Sequence, residues 1–153
     1  MRKLVIIPTY NEKENISAMI DKVFSLPEPF EMLVIDDGSP DGTAAIVKRL
    51  QADEFAGHLH LIERKGKLGL GTAYITGFKW SVEQKYDYVF EMDADFSHNP
   101  KDLLRLYDAC AHQGADVAIG SRYISGVNVV NWPMGRVVMS YYASKYVLSL
   151  IHI

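Results

Sequence analysis

The stretch Glu91-Met92-Asp93-Ala94-Asp95-Phe96-Ser97-His98-Asn99-Pro100 holds the residues whose type and spacing most invite chemistry. In an extended segment, side chains two residues apart project to the same side, so the Asp93 and Asp95 carboxylates can face one point. Two anions held that close repel and resist ionisation unless a cation lies between them. Mg2+ or Mn2+ fits that need, because these hard ions take oxygen ligands. They often bind only one or two carboxylates and complete their shell with phosphate oxygens of a substrate. The expected species is a metal–diphosphate complex. An Asp-x-Asp also arises by chance in solvated loops, so its weight depends on where the chain places it.

Other polar groups gain meaning by position. Asp36-Asp37-Gly38-Ser39-Pro40-Asp41-Gly42-Thr43 follows an apolar run. Ser39, Asp41 and Gly42 are ordinary turn and cap residues. Asp37, an acid at the end of a buried run, can accept hydrogen bonds from a ribose or a base, and Asp36 stays open between turn and site. Tyr10 is either core packing or a stacking surface for a base. Glu12 either complements a helix dipole or binds ligand. Arg122 and Arg136 present planar forks that fit diphosphate oxygens, against the alternative of surface ion pairs. The glycine-rich Gly66-Lys67-Leu68-Gly69-Leu70-Gly71-Thr72 is neither a Walker loop nor a dinucleotide fingerprint. Lys67 within it is a weaker candidate for donor contact. His98 either reaches a metal or caps its turn. Cys110 lies on an apolar helix stripe, and His58, His60, His112 and His152 show no metal-ligand spacing.

The elements that must position these groups alternate. Apolar runs at residues 4–7, 32–35, 58–62, 88–92 and 117–119 predict five short strands, several without a polar face, as expected for strands covered on both sides. Pro8 ends the first run. Between them, helical spacing links Ile16, Met19, Ile20, Val23 and Phe24, then Thr43, Ile46, Val47 and Leu50, then Leu70, Ala73, Tyr74 and Gly77, then Leu103, Leu106, Tyr107 and Cys110. Asn11 with Glu14 predicts a capping box, and Ser39-Pro40 and Asn99-Pro100 predict capped helix starts. The alternation implies βαβ units and a mainly parallel α/β sheet flanked by helices. Ligands of such sheets bind beyond the carboxyl ends of the strands, where the strand order reverses. Four of the five expected strand ends carry the acids, aromatics and arginine named above, on one shared rim.

Bulk properties agree. The chain has 153 residues, of which 48% are hydrophobic, one cysteine and a net charge of −3. These values suit one compact domain without a disulfide framework and argue against a nucleic-acid partner. The first apolar run is too short for a signal-peptide core or a bilayer span. The expected location is cytoplasmic, with a peripheral position on the cytoplasmic face of a membrane as an option.

Read together, Pro8-Thr9-Tyr10-Asn11-Glu12, the stretch 36–43, Gly69-Leu70-Gly71-Thr72-Ala73-Tyr74, the stretch 92–100, Gly120-Ser121-Arg122-Tyr123 and Asn131-Trp132-Pro133 leading to Arg136 and Ser140 resemble family 2 glycosyltransferases. Within that family they resemble the polyprenol-phosphate (dolichol-phosphate) mannosyltransferases. Each motif is weak alone, but six in this order are specific. Ser125-Gly126 stands where the family usually has a glycine pair. The resemblance implies a GT-A (Rossmann-like) nucleotide-sugar-binding domain over residues 1–153, incomplete at its C-terminus. It implies that Pro8, Tyr10, Glu12, Ile35 and Asp37 hold the nucleoside. Asp93, Ala94 and Asp95 would meet diphosphate and metal, with Ser97 in the same metal shell. Arg122 and Arg136 would hold phosphates, Ser140 would contact the acceptor phosphate, and Asp95 and Arg122 would carry the catalysis.

The implied reaction is inverting transfer of mannose from GDP-mannose to a polyprenyl (dolichyl) phosphate with Mg2+ or Mn2+. The partners are then a nucleotide-diphosphate sugar, a polyprenyl-phosphate lipid and a membrane surface. Val137, Val138, Tyr141, Tyr142, Tyr146, Val147, Leu150 and Ile151 form a helical apolar series that suits either a bilayer interface or packing against protein. The competing readings are a UDP-sugar transferase and a nucleotide-sugar-binding module without turnover. An aspartyl-phosphate phosphotransferase would need its Asp-x-Asp after the first strand rather than the fourth.

Overall fold

The computed structural model of the chain describes residues 1–121 and 133–151. They fall into two compact units, Met1–Asp116 and Val117–Ile153.

The first unit holds strands β1 (Lys3–Thr9), β2 (Glu31–Asp36), β3 (Leu59–Glu63) and β4 (Tyr88–Glu91) and helices α1 (Ile16–Phe24), α2 (Thr43–Asp53), α3 (Leu70–Glu83) and α4 (Asp102–Ala111). The strands pair in the order β3-β2-β1-β4. Every pairing is parallel. The chain builds outward from β1 through β2 to β3 and then returns to the far side of β1 for β4. The order therefore reverses between β1 and β4, and the crevice beyond their carboxyl ends is where an open α/β sheet receives ligands.

Alternation along β1 makes the two cores. Val5 and Ile7 face a cluster with Met32 and Val34 of β2, Ile16, Met19, Ile20 and Val23 of α1, Val47 and Leu50 of α2, and Leu103 of α4. Leu4 and Ile6 face the opposite cluster with Leu33 and Ile35 of β2 and Ala73 of α3. Both faces of the central strands are thus dry, which is why β1 and β2 read as unbroken apolar runs. Each fully buried Ile or Leu of this set contributes on the order of 1.5–3 kcal/mol. Gly77 lets α3 approach the sheet, since a Cβ there would lie 2.8 Å from Ile6 and 3.1 Å from Ile35.

Four local expectations change. Pro8 does not end β1; it pairs with Ile35 and the strand runs on to Thr9. Proline is tolerated there because the β4 side of the ladder stops at Ile6↔Glu91, so no N–H is needed beyond it. The Asn11–Glu14 capping box does not form. Asn11 has φ 61 and α1 starts only at Ile16, after Asn15. Helix α2 is entered through Gly42 at φ 93 rather than through Ser39, whose hydroxyl donates instead to Asp36. Residues 117–119 form no strand. Val117 and Ile119 are 76% and 83% exposed, and a three-residue run with no pairing partner among the described residues gains too little to hold a ladder.

The second unit contains α5 (Met134–Ile151). Its exposed apolar side chains, among them Met134, Val138, Met139, Tyr141, Tyr142, Val147 and Leu148, are distributed around the helix rather than along one stripe. Among the described residues, no helix is long and apolar enough to cross a membrane.

Candidate functional site

Because β1 to β4 are parallel, the residues after Thr9, Asp36, Glu63 and Glu91 share the carboxyl edge of one sheet. The segment after β4 is the least satisfied of these. Met92 and Ala94 are buried, while Asp93 is half-buried and Asp95 exposed. The chain has left the strand here: β4 ends at Glu91 and Ala94-Asp95 form a turn, so the extended spacing expected for the two acids does not apply. Phe96 has φ 60, a conformation rare outside glycine. That bend returns Ser97, whose N–H donates to Asp95 Oδ1 at 2.9 Å and whose hydroxyl lies 3.5 Å from Asp93 Oδ2. Ser97 therefore lies beside both Asp93 and Asp95. His98 joins them, accepting the Asp93 N–H at Nδ1 (3.3 Å) and placing Nε2 3.7 Å from Asp93 Oδ2.

Burial pushes the Asp95 carboxyl up, but hydrogen bonds from Ser97 and the nearby His98 outweigh it and hold Asp95 below its ordinary value. Burial raises the Tyr74 phenol, aided by the negative charges of Asp93 and Glu91 and by a hydrogen bond to Asp93. Tyr74 thus keeps its proton. Among the described residues no group of three or more His, Cys, Asp or Glu forms a ready metal cage. Two carboxylates and a hydroxyl are hard oxygen donors that suit Mg2+ or Mn2+ as part of a shell completed by phosphate oxygens.

The end of β2 carries two buried acids, Asp36 and Asp37, with different partners. Asp36 is 1% exposed and saturated: Thr9 Oγ1 (3.0 Å) and Ser39 Oγ (2.6 Å) donate to Oδ1, and the Ser39 N–H donates to Oδ2 (2.8 Å). Ser39 Oγ in turn accepts the Asn11 N–H at 3.0 Å. Thr43 Oγ1 accepts the Glu12 N–H at 3.0 Å and Asp41 accepts the Lys13 N–H at 3.0 Å. These bonds lash the β1–α1 turn, with Tyr10 and Glu12, to the β2–α2 turn. Burial raises Asp41, yet the Thr43 hydroxyl and N–H and the Lys13 N–H carry it below its ordinary value. Tyr10 is 38% exposed, with Lys67 Nζ 4.7 Å from its ring centre.

Asp37 is held differently. Arg64 Nε and Nη2 donate to its two oxygens at 2.6 and 2.8 Å. Arg64 was not singled out by sequence. It lies two residues past the apolar run 58–62, and its partner Asp37 is 27 positions away in sequence.

Ile35 and Ala94, which the resemblance places at the ligand, have buried side chains, so only their backbone faces the rim. Pro8 is half-buried and Glu12 accepts from Asn15 Nδ2 at 3.0 Å. Arg136 and Ser140 lie on α5, in the second unit. Arg122 lies outside the described residues.

Comparison with known proteins bears on the family and the fold. Over 149 residues, covering 95% of this chain and 54% of the relative, the sequence is 48% identical to polyprenol monophosphomannose synthase of Mycolicibacterium smegmatis. It is 43% identical to undecaprenyl-phosphate mannosyltransferase of Micrococcus luteus, over 95% of this chain and 58% of that protein. The chain thus spans about half the length of these curated relatives. Among solved structures, S. aureus TarS 1–349 in complex with UDP matches with a TM-score of 0.54 and 25% identity, over 71% of this chain and 32% of that one. The sheet and its flanking helices are those of GT-A glycosyltransferases. The glycosyl transferase family 2 model matches residues 4–150, and the chain belongs to that family.

Proposed function

We propose that this chain supplies the donor-binding part of an inverting glycosyltransferase that moves mannose from GDP-mannose to a polyprenyl phosphate. The observation that carries the reading is the grouping of Asp93, Asp95 and Ser97 at the end of β4, across the strand-order reversal from Tyr10 at the end of β1. The mannosyl transfer and lipid-phosphate acceptors named for the relatives support the substrate classes.

On this reading Tyr10, Glu12 and Asp37 hold the nucleoside, with the backbone of Pro8 and Ile35 beside them. Asp93, Asp95 and Ser97 hold Mg2+ or Mn2+, with Ala94 packing beneath the diphosphate. When bound, the ion supplies Lewis-acid stabilisation of the charge that grows on the departing nucleoside diphosphate. Arg122 and Arg136 hold phosphate groups, and Ser140 contacts the acceptor phosphate. A phosphate monoester has a second pKa of about 6 and is largely a dianion at neutral pH. The acceptor therefore needs alignment with the anomeric carbon rather than proton abstraction, and no carboxylate base is required.

A thermal-shift panel of GDP, UDP and their sugars, with and without Mn2+, tests the donor. Bound ligand raises apparent stability in proportion to its affinity. Stabilisation by GDP-mannose with Mn2+ is the expected result. A larger shift with UDP-sugars moves the reading to a UDP-sugar transferase, which the UDP held by the TarS structure favours. Binding without lipid-phosphate mannosylation, assayed in parallel, identifies a binding module.

A further inference from the structure

We infer that Arg64 is a positioning residue for the nucleoside end of the donor, acting through Asp37, and that it fastens the glycine-rich segment 65–72 as a clasp beside that end. The inference rests on the donor-site reading above and adds a residue to it.

One guanidinium makes the clasp. The Arg64 N–H donates to the Asp36 carbonyl at 2.7 Å, which extends the β2–β3 ladder and fixes its backbone. Nε and Nη2 take both oxygens of Asp37, and both side chains are 9% exposed. Nη1 donates to Thr72 Oγ1 at 2.8 Å, and Nη2 also reaches the Gly69 carbonyl at 3.3 Å. The same side chain therefore joins the end of β2 to the first turn of α3 and closes the segment between them. The backbones are close enough that a Cβ on Gly38, at φ 71, would sit 3.3 Å from the Arg64 carbonyl and 3.4 Å from the Gly66 nitrogen. From inside the segment Lys67 reaches back over the Tyr10 ring. Its two basic anchors thus rest on Asp37 and Tyr10, two groups expected to hold the nucleoside.

Stability alone is a weak reason for such a pair. Desolvating two charges offsets most of their attraction, so a buried ion pair is better understood through the geometry it imposes. Each carboxylate oxygen has more than one acceptor direction. With the fork occupying one side, the remaining lone pairs of Asp37 point in fixed directions towards N–H or O–H donors of a nucleoside. A carboxylate locked before binding loses no rotamer freedom on binding. Lysine keeps the charge of arginine but lacks the planar fork.

Calorimetric titration of GDP, with UDP in parallel, into wild type, Arg64→Lys, Thr72→Val, Asp37→Asn and the Arg64→Lys/Asp37→Asn double variant tests the assignment. Arg64→Lys is expected to weaken nucleotide binding about tenfold, by the same factor with and without Mn2+, because it acts away from the metal. Thr72→Val, which leaves the Asp37 pair in place, is expected to weaken it about two- to threefold. The effect of Arg64→Lys should vanish in the Asp37→Asn background, since one acts through the other. Should Arg64→Lys not fold, Thr72→Val carries the test. Variants that melt earlier but bind like wild type, or effects that add to Asp37→Asn, make Arg64 a structural tie only and overturn the inference while the donor site stands. A wild-type chain that binds neither nucleotide, with or without Mn2+, removes the donor site and this inference with it.

Discussion

The two edges of the sheet carry similar residues and treat them in opposite ways. At the amino edge, Glu31 accepts from Arg2 Nε (3.1 Å) and Nη2 (3.0 Å) and from Tyr86 Oη (2.6 Å), and His60 Nε2 lies 3.2 Å away. Arg2 also stacks 4.1 Å over the Tyr86 ring and donates to the Gln84 carbonyl. Burial alone would raise Glu31, but the Arg2, Tyr86 and His60 hydrogen bonds bring it down to about 2. At the carboxyl edge, Asp93 is 41% exposed and, besides the Tyr74 phenol, meets Ser97 and His98 at 3.5 and 3.7 Å, while Asp95 takes one close N–H. A carboxylate whose lone pairs are filled by protein holds strands together. One left with open acceptor directions beside another acid is arranged for something that arrives from solution.

This contrast can be broken or sharpened by substitution. The largest effect is expected at the carboxyl edge. Asp95→Asn should weaken GDP binding in Mn2+ by about 100-fold, with little change in metal-free affinity or melting temperature, as calorimetry and thermal denaturation will read. At the amino edge the pattern reverses. Glu31→Gln should leave nucleotide affinity intact and cost about 2 kcal/mol at pH 7 in chemical denaturation. The folded-state carboxyl titrates at about 2 against an ordinary 4.5. That stabilisation is therefore complete above pH 4.5 and disappears as the pH falls from there through 2. Glu31→Gln should accordingly flatten the stability profile over this window.

Gly77→Ala probes the frame that both edges share. Its Cβ would overlap Ile6, so a loss of about 1–3 kcal/mol is expected, read as a lower melting temperature. Lys67→Ala should do least, weakening GDP about two- to threefold in calorimetry through loss of the contact over Tyr10.

The sequence was most legible where burial is two-sided. Residues 4–7 and 32–35 read as strands because both faces are dry, and the helical stripes through Met19, Val47, Ala73 and Leu103 read correctly because each meets the sheet. Local capping signals failed where tertiary bonds recruited the same side chains. Ser39 and Asn11 belong to the Asp36 network rather than to helix starts. The run 117–119 failed because apolar character with no partner strand among the described residues does not make a strand. Among candidate site residues, Asp93 and Asp95 were singled out by their spacing and Ser97 by the family resemblance; what joins them is the bend at Phe96, which sequence spacing does not reveal. Arg64 was missed because a lone arginine after a half-buried strand has no local pattern, and its meaning comes from Asp37, 27 positions away in sequence.

The most direct measurement is a manganese anomalous-difference map from a crystal of this chain grown with GDP and Mn2+. The expected map has a peak bridging the diphosphate and the Asp93 and Asp95 carboxylates, with metal–oxygen distances of about 2.0–2.3 Å. GDP bound at the rim with those carboxylates turned apart and no ion between them and the phosphates would contradict it.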